Sequence, residues 1–123
     1  NISSQIKPTI SGNSIFLVTS DKFLTCLDLY SGDIYWSRKI DNLSNDKKNK
    51  KIIRRAGEIF NLTLVENKIF LFTTKGFLFK IDYKNGNLLS LTKYISSGFG
   101  SNPIFADGKM YFFDKKFKFY EFQ

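Results

Sequence analysis

A chain of 123 residues with 42% hydrophobic and 17% aromatic content is long enough to bury a core. It has no run of the roughly 18 to 20 apolar residues that a membrane-spanning helix needs. The absence of histidine excludes Ser-His-Asp and Cys-His catalytic arrangements within the chain, and the single cysteine, Cys26, excludes an intrachain disulfide. The net charge of +8 raises the question of an anionic partner. Because residue 1 is Asn rather than Met, we expect that a leader or an upstream domain precedes it.

Short runs of β-branched and aromatic residues predict eleven strands, and no helix within the repeating units. Gly, Asn and Asp between the runs supply the positive φ angles of tight turns. The pattern therefore indicates antiparallel meanders of four, four and three strands. In chain order the strands are predicted near residues 7–10, 14–19, 23–29, 34–39, 59–65, 69–73, 77–83, 88–92, 102–105, 110–113 and 117–122.

The meanders are copies of one repeat. A shift of 54 residues relates four landmarks of the first copy to the second, and a shift of 41 relates Ile69-Phe70 to Met110-Tyr111. A period near forty residues with four strands is typical of a β-propeller blade. We therefore predict an all-β fold, the C-terminal three blades of a larger ring that has about eight. The blades are residues 1–40, 58–94 and 95–123, with a basic insertion at 41–57. The last blade lacks its outermost strand, which we expect to come from upstream of Asn1.

The stretch LDLYSGDIYW, residues 27–36, contains the only tryptophan of the chain. Its second copy, IDYKNGNLLS at residues 81–90, repeats the Asp and the Gly but has Ser90 in place of the Trp. An Asp in this position can accept backbone N–H groups, the Gly permits the turn, and the Trp can pack on a neighbouring blade. We assign these structural roles to Asp28, Gly32, Trp36, Asp82 and Gly86. The stretch resembles the tryptophan-docking repeat of the pyrroloquinoline-quinone (PQQ) type propellers, which quinoprotein dehydrogenases share with non-enzymatic proteins.

The tail of the chain, residues 94–122, resembles the closing segment of the BamB-type lipoproteins of the outer-membrane β-barrel assembly machinery. The segments that carry the resemblance are Ser96–Phe99, Pro103 and Ala106–Lys109. It implies a non-enzymatic scaffold without a cofactor, an eight-bladed propeller at the periplasmic face of the outer membrane that binds the central barrel-forming subunit. The alternative is a fragment of a PQQ-dependent quinoprotein dehydrogenase. Two departures from the family pattern are the long basic insertion and Asp114-Lys115-Lys116, where a turn with Gly is usual.

The insertion concentrates basic residues in the run KKNKKIIRR. Two interpretations remain open, a solvated loop between blades or a contact with lipid headgroups or an acidic protein surface. Nucleic acid is not predicted, because the insertion has no aromatic residue for base stacking. No residue is assigned a catalytic, cofactor or metal role, since Asp28 and Asp82 occupy the same position of the first two copies, as turn residues do. The basic residues are Lys47, Lys48, Lys50, Lys51, Arg54 and Arg55.

Overall fold

The computed structural model describes residues 6–123, so residues 1–5 of the first predicted blade lie outside the described part. Its three antiparallel sheets contain four, four and three strands, as predicted. The first sheet contains β1 (Thr9–Ser11), β2 (Ser14–Val18), β3 (Phe23–Asp28) and β4 (Ile34–Lys39). The second contains β5 (Ile59–Val65), β6 (Lys68–Thr73), β7 (Phe77–Asp82) and β8 (Leu88–Lys93). The third contains β9 (Ile104–Ala106), β10 (Lys109–Phe113) and β11 (Phe119–Phe122).

The strands of each sheet follow one another in chain order, as in the blades of a β-propeller. The first two sheets also share an irregularity in strand pairing. The register of β3 with β4 shifts after Cys26, and the register of β7 with β8 shifts after Lys80. Each of these residues lies two positions before the aspartate of the following turn. The predicted fold class, antiparallel propeller blades, is confirmed.

The second sheet lies between the other two, and its strand β6 explains how. Ile69 and Leu71 point into a core shared with the first sheet, whereas Phe70 and Phe72 point into a core shared with the third. Side chains alternate between the two faces of a strand, so a strand buried on both faces is apolar along its length. The sequence KIFLFT therefore marks the middle of a stack rather than a sheet with a solvated face.

The insertion contains a helix, so one of its two interpretations, a solvated loop between blades, is wrong, whereas contact with lipid headgroups or an acidic protein surface stays a prediction. A 3₁₀ turn at Ile40–Asn42 is followed by a nine-residue helix, α1 (Lys47–Arg55). The carboxylate of Asp46 caps this helix by accepting the backbone N–H of Asn49 at 3.0 Å. Ile53 is buried in the core shared by the first two sheets, together with Ile40. Burial of this apolar face supplies the tertiary support that a short, highly charged helix needs.

Candidate functional site

Trp36 docks the first sheet on the second. Its indole Nε1 donates a hydrogen bond to the carbonyl oxygen of Tyr83 at 3.1 Å. The ring lies over Gly86, where a Cβ atom would come within 2.7–2.8 Å of two of its carbons. On the first sheet, the Phe16 ring lies 6.4 Å from the indole, centroid to centroid. Gly86 therefore meets two requirements at once, a positive φ of 77° and room for the indole.

Arg38, two residues further along β4, holds the same turn of the second sheet. Its Nε donates to the carbonyl oxygen of Asn85 at 3.2 Å, and its Nη2 donates to Oδ1 of Asn87. Residues two apart on a strand lie on the same face, which places Arg38 beside the indole. Arg38 was not predicted from the sequence, although its spacing from Trp36 could have indicated it.

The two turn aspartates brace their own turns. The carboxylate of Asp28 accepts the backbone N–H groups of Ser31 at 2.7 Å and Tyr30 at 3.1 Å, as well as the Tyr35 hydroxyl at 2.9 Å. These bonds, that from Ser31 most of all, lower the pKa of Asp28. Asp82 accepts the N–H of Lys84 at 2.9 Å. The structure thus brings Trp36 together with Gly86 in the turn of Asp82, whereas Asp28 and Gly32 lie in the corresponding turn of the first sheet.

A second brace recurs at the opposite end of each sheet and was not predicted from the sequence. The hydroxyls of Thr19 and Thr73 each accept the backbone N–H of the residue four positions later, at 3.1 Å. In the third sheet Asp114 has this role, and its Oδ1 accepts the N–H groups of Lys116 and Lys118, each at 2.8 Å. The signal was available, because the repeat shifts of 54 and 41 residues relate these three positions.

Asp114 is a buried carboxylate, only 4% exposed. Its Oδ2 accepts two further hydrogen bonds, from the hydroxyls of Ser97 at 2.9 Å and Tyr120 at 3.1 Å. Burial favours the neutral acid, yet the hydrogen bonds together outweigh it, and the pKa of Asp114 is lowered. Asp114 therefore stays ionised at neutral pH and organises its turn from within.

The basic residues of the insertion lie on one side of α1. With 3.6 residues per turn, the six cations fall within an arc of about 160°, while Asn49, Ile52 and Ile53 occupy the other side. Within residues 6–123, the ion pairs are Lys22 with Glu58 at 3.5 Å and Lys109 with Glu121 at 3.2 Å. Neither involves α1. The structure brings together all six predicted residues: Lys47, Lys48, Lys50, Lys51, Arg54 and Arg55.

Three remaining features bear on possible chemistry. In the described part of the chain, no group of three or more His, Cys, Asp or Glu residues could hold a metal ion. No helix among residues 6–123 combines the length and apolar character needed to cross a membrane. Cys26 is buried, and burial raises the pKa of its thiol despite a hydrogen bond with Ser14.

The sheets and the interblade dock define the chain as a segment of a β-propeller. No protein-family model matches it. It is 24% identical to the outer membrane protein assembly factor BamB of Escherichia coli K12, over 84% of this chain and 33% of that protein. BamB of Shewanella oneidensis is likewise 24% identical, over 85% of this chain. The chain spans about a third of the length of these curated relatives.

Solved structures agree on the fold. The crystal structure of BamB from Moraxella catarrhalis matches with a TM-score of 0.64 and 14% identity, over 95% of this chain and 32% of that one. Quinohemoprotein alcohol dehydrogenase from Comamonas testosteroni matches with a TM-score of 0.56 and 14% identity, over 91% of this chain and 17% of that one. At these identities the likeness shows a shared fold. Together with the curated relatives, it confirms the resemblance predicted from the tail: the chain is BamB-like.

Proposed function

We propose that this chain is part of a non-enzymatic scaffold for the assembly of outer membrane proteins. The observation that carries the proposal is the likeness to the assembly factor BamB, which extends over 84% of the chain. In this role the propeller works at the periplasmic face of the outer membrane and binds the central barrel-forming subunit of the assembly machinery together with its other members.

The interblade dock supports a scaffold role. Trp36 and Arg38 of the first sheet make three hydrogen bonds to one turn of the second. Such contacts hold adjacent blades in a fixed relation, and a binding platform benefits from rigidity because little ordering entropy is then lost on association. Upstream blades of the same protein would extend this platform.

Cross-linking in outer membranes tests the proposal. The intact protein, tagged and cross-linked in cells, is purified, and the attached proteins are identified by mass spectrometry. We expect the barrel-forming subunit of the assembly machinery among them. Its absence, in cells where a known member of the machinery recovers that subunit under the same conditions, would contradict the proposal.

A second candidate is a fragment of a PQQ-dependent quinoprotein dehydrogenase. The observation that favours it is the fold likeness to the quinohemoprotein alcohol dehydrogenases of Comamonas testosteroni and Pseudomonas putida, the latter with a TM-score of 0.63 over 89% of this chain. Incubating the intact protein with PQQ, calcium and an alcohol, and following dye reduction, distinguishes the two. We expect no reduction above a quinone-free control, and alcohol-dependent reduction would favour the dehydrogenase.

A further inference from the structure

The connections between strands separate the charges of the molecule. One end, here called the basic end, consists of residues 19–22, 40–58, 74–76, 94–103 and 114–118, which contain eleven basic and five acidic residues. The opposite end consists of residues 12–13, 29–33, 66–67, 83–87 and 107–108, which contain one basic and three acidic residues. The positive charge of the chain is thus directed to one end of the stack.

The basic end is one continuous surface. Lys22 in the first sheet pairs with Glu58, whose backbone N–H donates to the Thr74 hydroxyl of the second sheet at 3.1 Å. The N–H of Lys115 in the third sheet donates to the carbonyl oxygen of Gly98, which packs against Thr74. The connections of all three sheets are therefore held side by side, with α1 among them.

The fully exposed residues of helix α1 at this end are all cations. Lys47 and Lys51, and likewise Lys51 and Arg55, are four residues apart, a spacing at which like charges repel on a helix. Lys47 and Lys48 also occupy the first turn, where the helix dipole disfavours positive charge. Arg54 and Arg55 lie in the last turn, where the dipole favours cations, but the like-charge repulsion and the first-turn lysines disfavour the helix, and an extended negative surface would relieve both.

Phe117 protrudes from the same end. Its side chain is 85% exposed, and its backbone has a φ of 67°, which a bulky residue rarely adopts. The equivalent position in the second sheet is occupied by Gly76, the residue best suited to such a φ. Asp114 holds the turn from both sides of Phe117, and lysines surround it in the sequence KKFK, residues 115–118. A strained, exposed aromatic residue on a braced turn points to a function.

We propose that the basic end is a docking surface for an anionic lipid bilayer. The cations of α1 contact the headgroups, and the Phe117 ring enters the interface between headgroups and acyl chains while its neighbouring lysines stay with the phosphates. A bilayer fits better than an acidic protein, because protein interfaces are depleted in lysine and need an apolar core, whereas the fully exposed residues of α1 are all cations. This inference goes beyond the assembly role and does not depend on it.

Vesicle binding tests the inference with two kinds of variant. The full-length polypeptide, prepared without any attached lipid, is mixed with vesicles of phosphatidylcholine or of an equal mixture of phosphatidylcholine and phosphatidylglycerol, and the bound fraction is measured by sedimentation. We expect binding to the mixed vesicles that weakens as salt is added. Phe117→Gly removes the ring from a position that suits glycine, so the fold should tolerate it while binding weakens about tenfold. Combined replacement of Lys47, Lys48 and Lys51 by Gln should weaken binding by roughly tenfold or more.

The opposite end supplies a matched control. Tyr30 is an aromatic residue of similar exposure, 80%, and Tyr30→Ser should leave binding unchanged. The inference is overturned if the protein binds both vesicle types equally, or if Phe117→Gly and the lysine variant bind the mixed vesicles as the wild type does. It is also overturned if Tyr30→Ser weakens binding as much as those variants do. Failure to bind any vesicle also overturns the inference, and lysine-dependent recovery of an acidic protein in the cross-linking experiment would then assign the surface to a protein partner.

Discussion

Gly86 lacks a side chain at the point where the Trp36 indole of the first sheet lies on the second. Two demands meet there, the left-handed turn and the close approach of a ring. A single residue thus links the local geometry of a hairpin to the packing of two blades. The backbone strain and the contact with the indole can be separated by comparing Gly86 with Gly108, a glycine of similar φ that has no such contact.

We predict that Gly86→Ala destabilises the intact protein more than Gly108→Ala. The two glycines have φ angles of 77° and 73°, so a Cβ costs each turn about 1–2 kcal/mol in backbone strain. Only at Gly86 would the new Cβ overlap Trp36, which should add about 1–3 kcal/mol. Chemical denaturation gives both values, and equal losses of stability would mean that the dock is not a tight contact.

The stability that Asp114 contributes should depend on pH. The pKa of Asp114 is lower in the folded chain than in the unfolded one, so its contribution to stability is complete above the ordinary carboxyl pKa of about 4. As the pH falls through the lower, folded-state pKa, that contribution is lost.

Asp114→Asn should therefore be less stable than the wild type at neutral pH, and the difference should shrink on acidification. Denaturation midpoints measured between neutral and strongly acidic pH test this. Asp114→Thr, which introduces the residue found at the equivalent positions 19 and 73, should retain the bond to the Lys118 N–H without its pH dependence. Curves for wild type and Asn variant that run parallel at all pH values would contradict the prediction.

At the scale of elements, α1 depends on its cap and on its buried face. The cations of α1 repel one another and so destabilise the helix. Two contacts offset this repulsion: the backbone N–H of Asn49 donates to the carboxylate of Asp46, and Ile53 is buried. The helix is thereby fixed beside the first two sheets, and its charges stay on one side.

We predict that Asp46→Ala lowers the stability of the intact protein by about 1 kcal/mol, the usual cost of losing an N-cap. Asn45→Ala, at the exposed neighbouring position, is the matched control and should have little effect. Denaturation midpoints and the helical circular dichroism signal are the measurements. The same response from both variants would mean that the cap does not stabilise α1.

At the scale of the whole molecule, strands in the interior of a sheet are more buried than strands at its outer edge. Strand β6 pairs with both β5 and β7 and is buried at five of its six residues, whereas β4 pairs only with β3 and is mostly exposed. Local opening is rarest where burial and hydrogen bonding are densest.

Hydrogen exchange of the intact protein should accordingly be slowest in β6 and β7 and faster in the outer strands β4 and β8. Mass spectrometry of exchanged peptides resolves these strands, and the comparison of β7 with β8 is made within one sheet. Equal protection of inner and outer strands would show that the blades open as units.

The sequence by itself determined the strands, their grouping and the relation to BamB. The alternation of apolar and polar residues, the turn residues and the fixed repeat length can all be read directly from the order of residues along the chain. The helix in the insertion could also have been predicted from the sequence. Its cap residue Asp46 and the residues Asn49, Ile52 and Ile53 have the spacing of a capped amphipathic helix. The high charge of the segment obscured that signal, because most of its residues face solvent.

Only the tertiary structure decided which groups meet. The acceptor of the Trp36 indole is a backbone carbonyl 47 residues away, and a carbonyl has no sequence signature. The burial of Asp114 likewise involves the hydroxyl of Ser97, 17 residues earlier in the chain, and that of Tyr120 in β11. The stretch around Trp36 identified the architecture from the sequence, whereas the separation of charge between the two ends became visible only once antiparallel strands had sorted their connections in space.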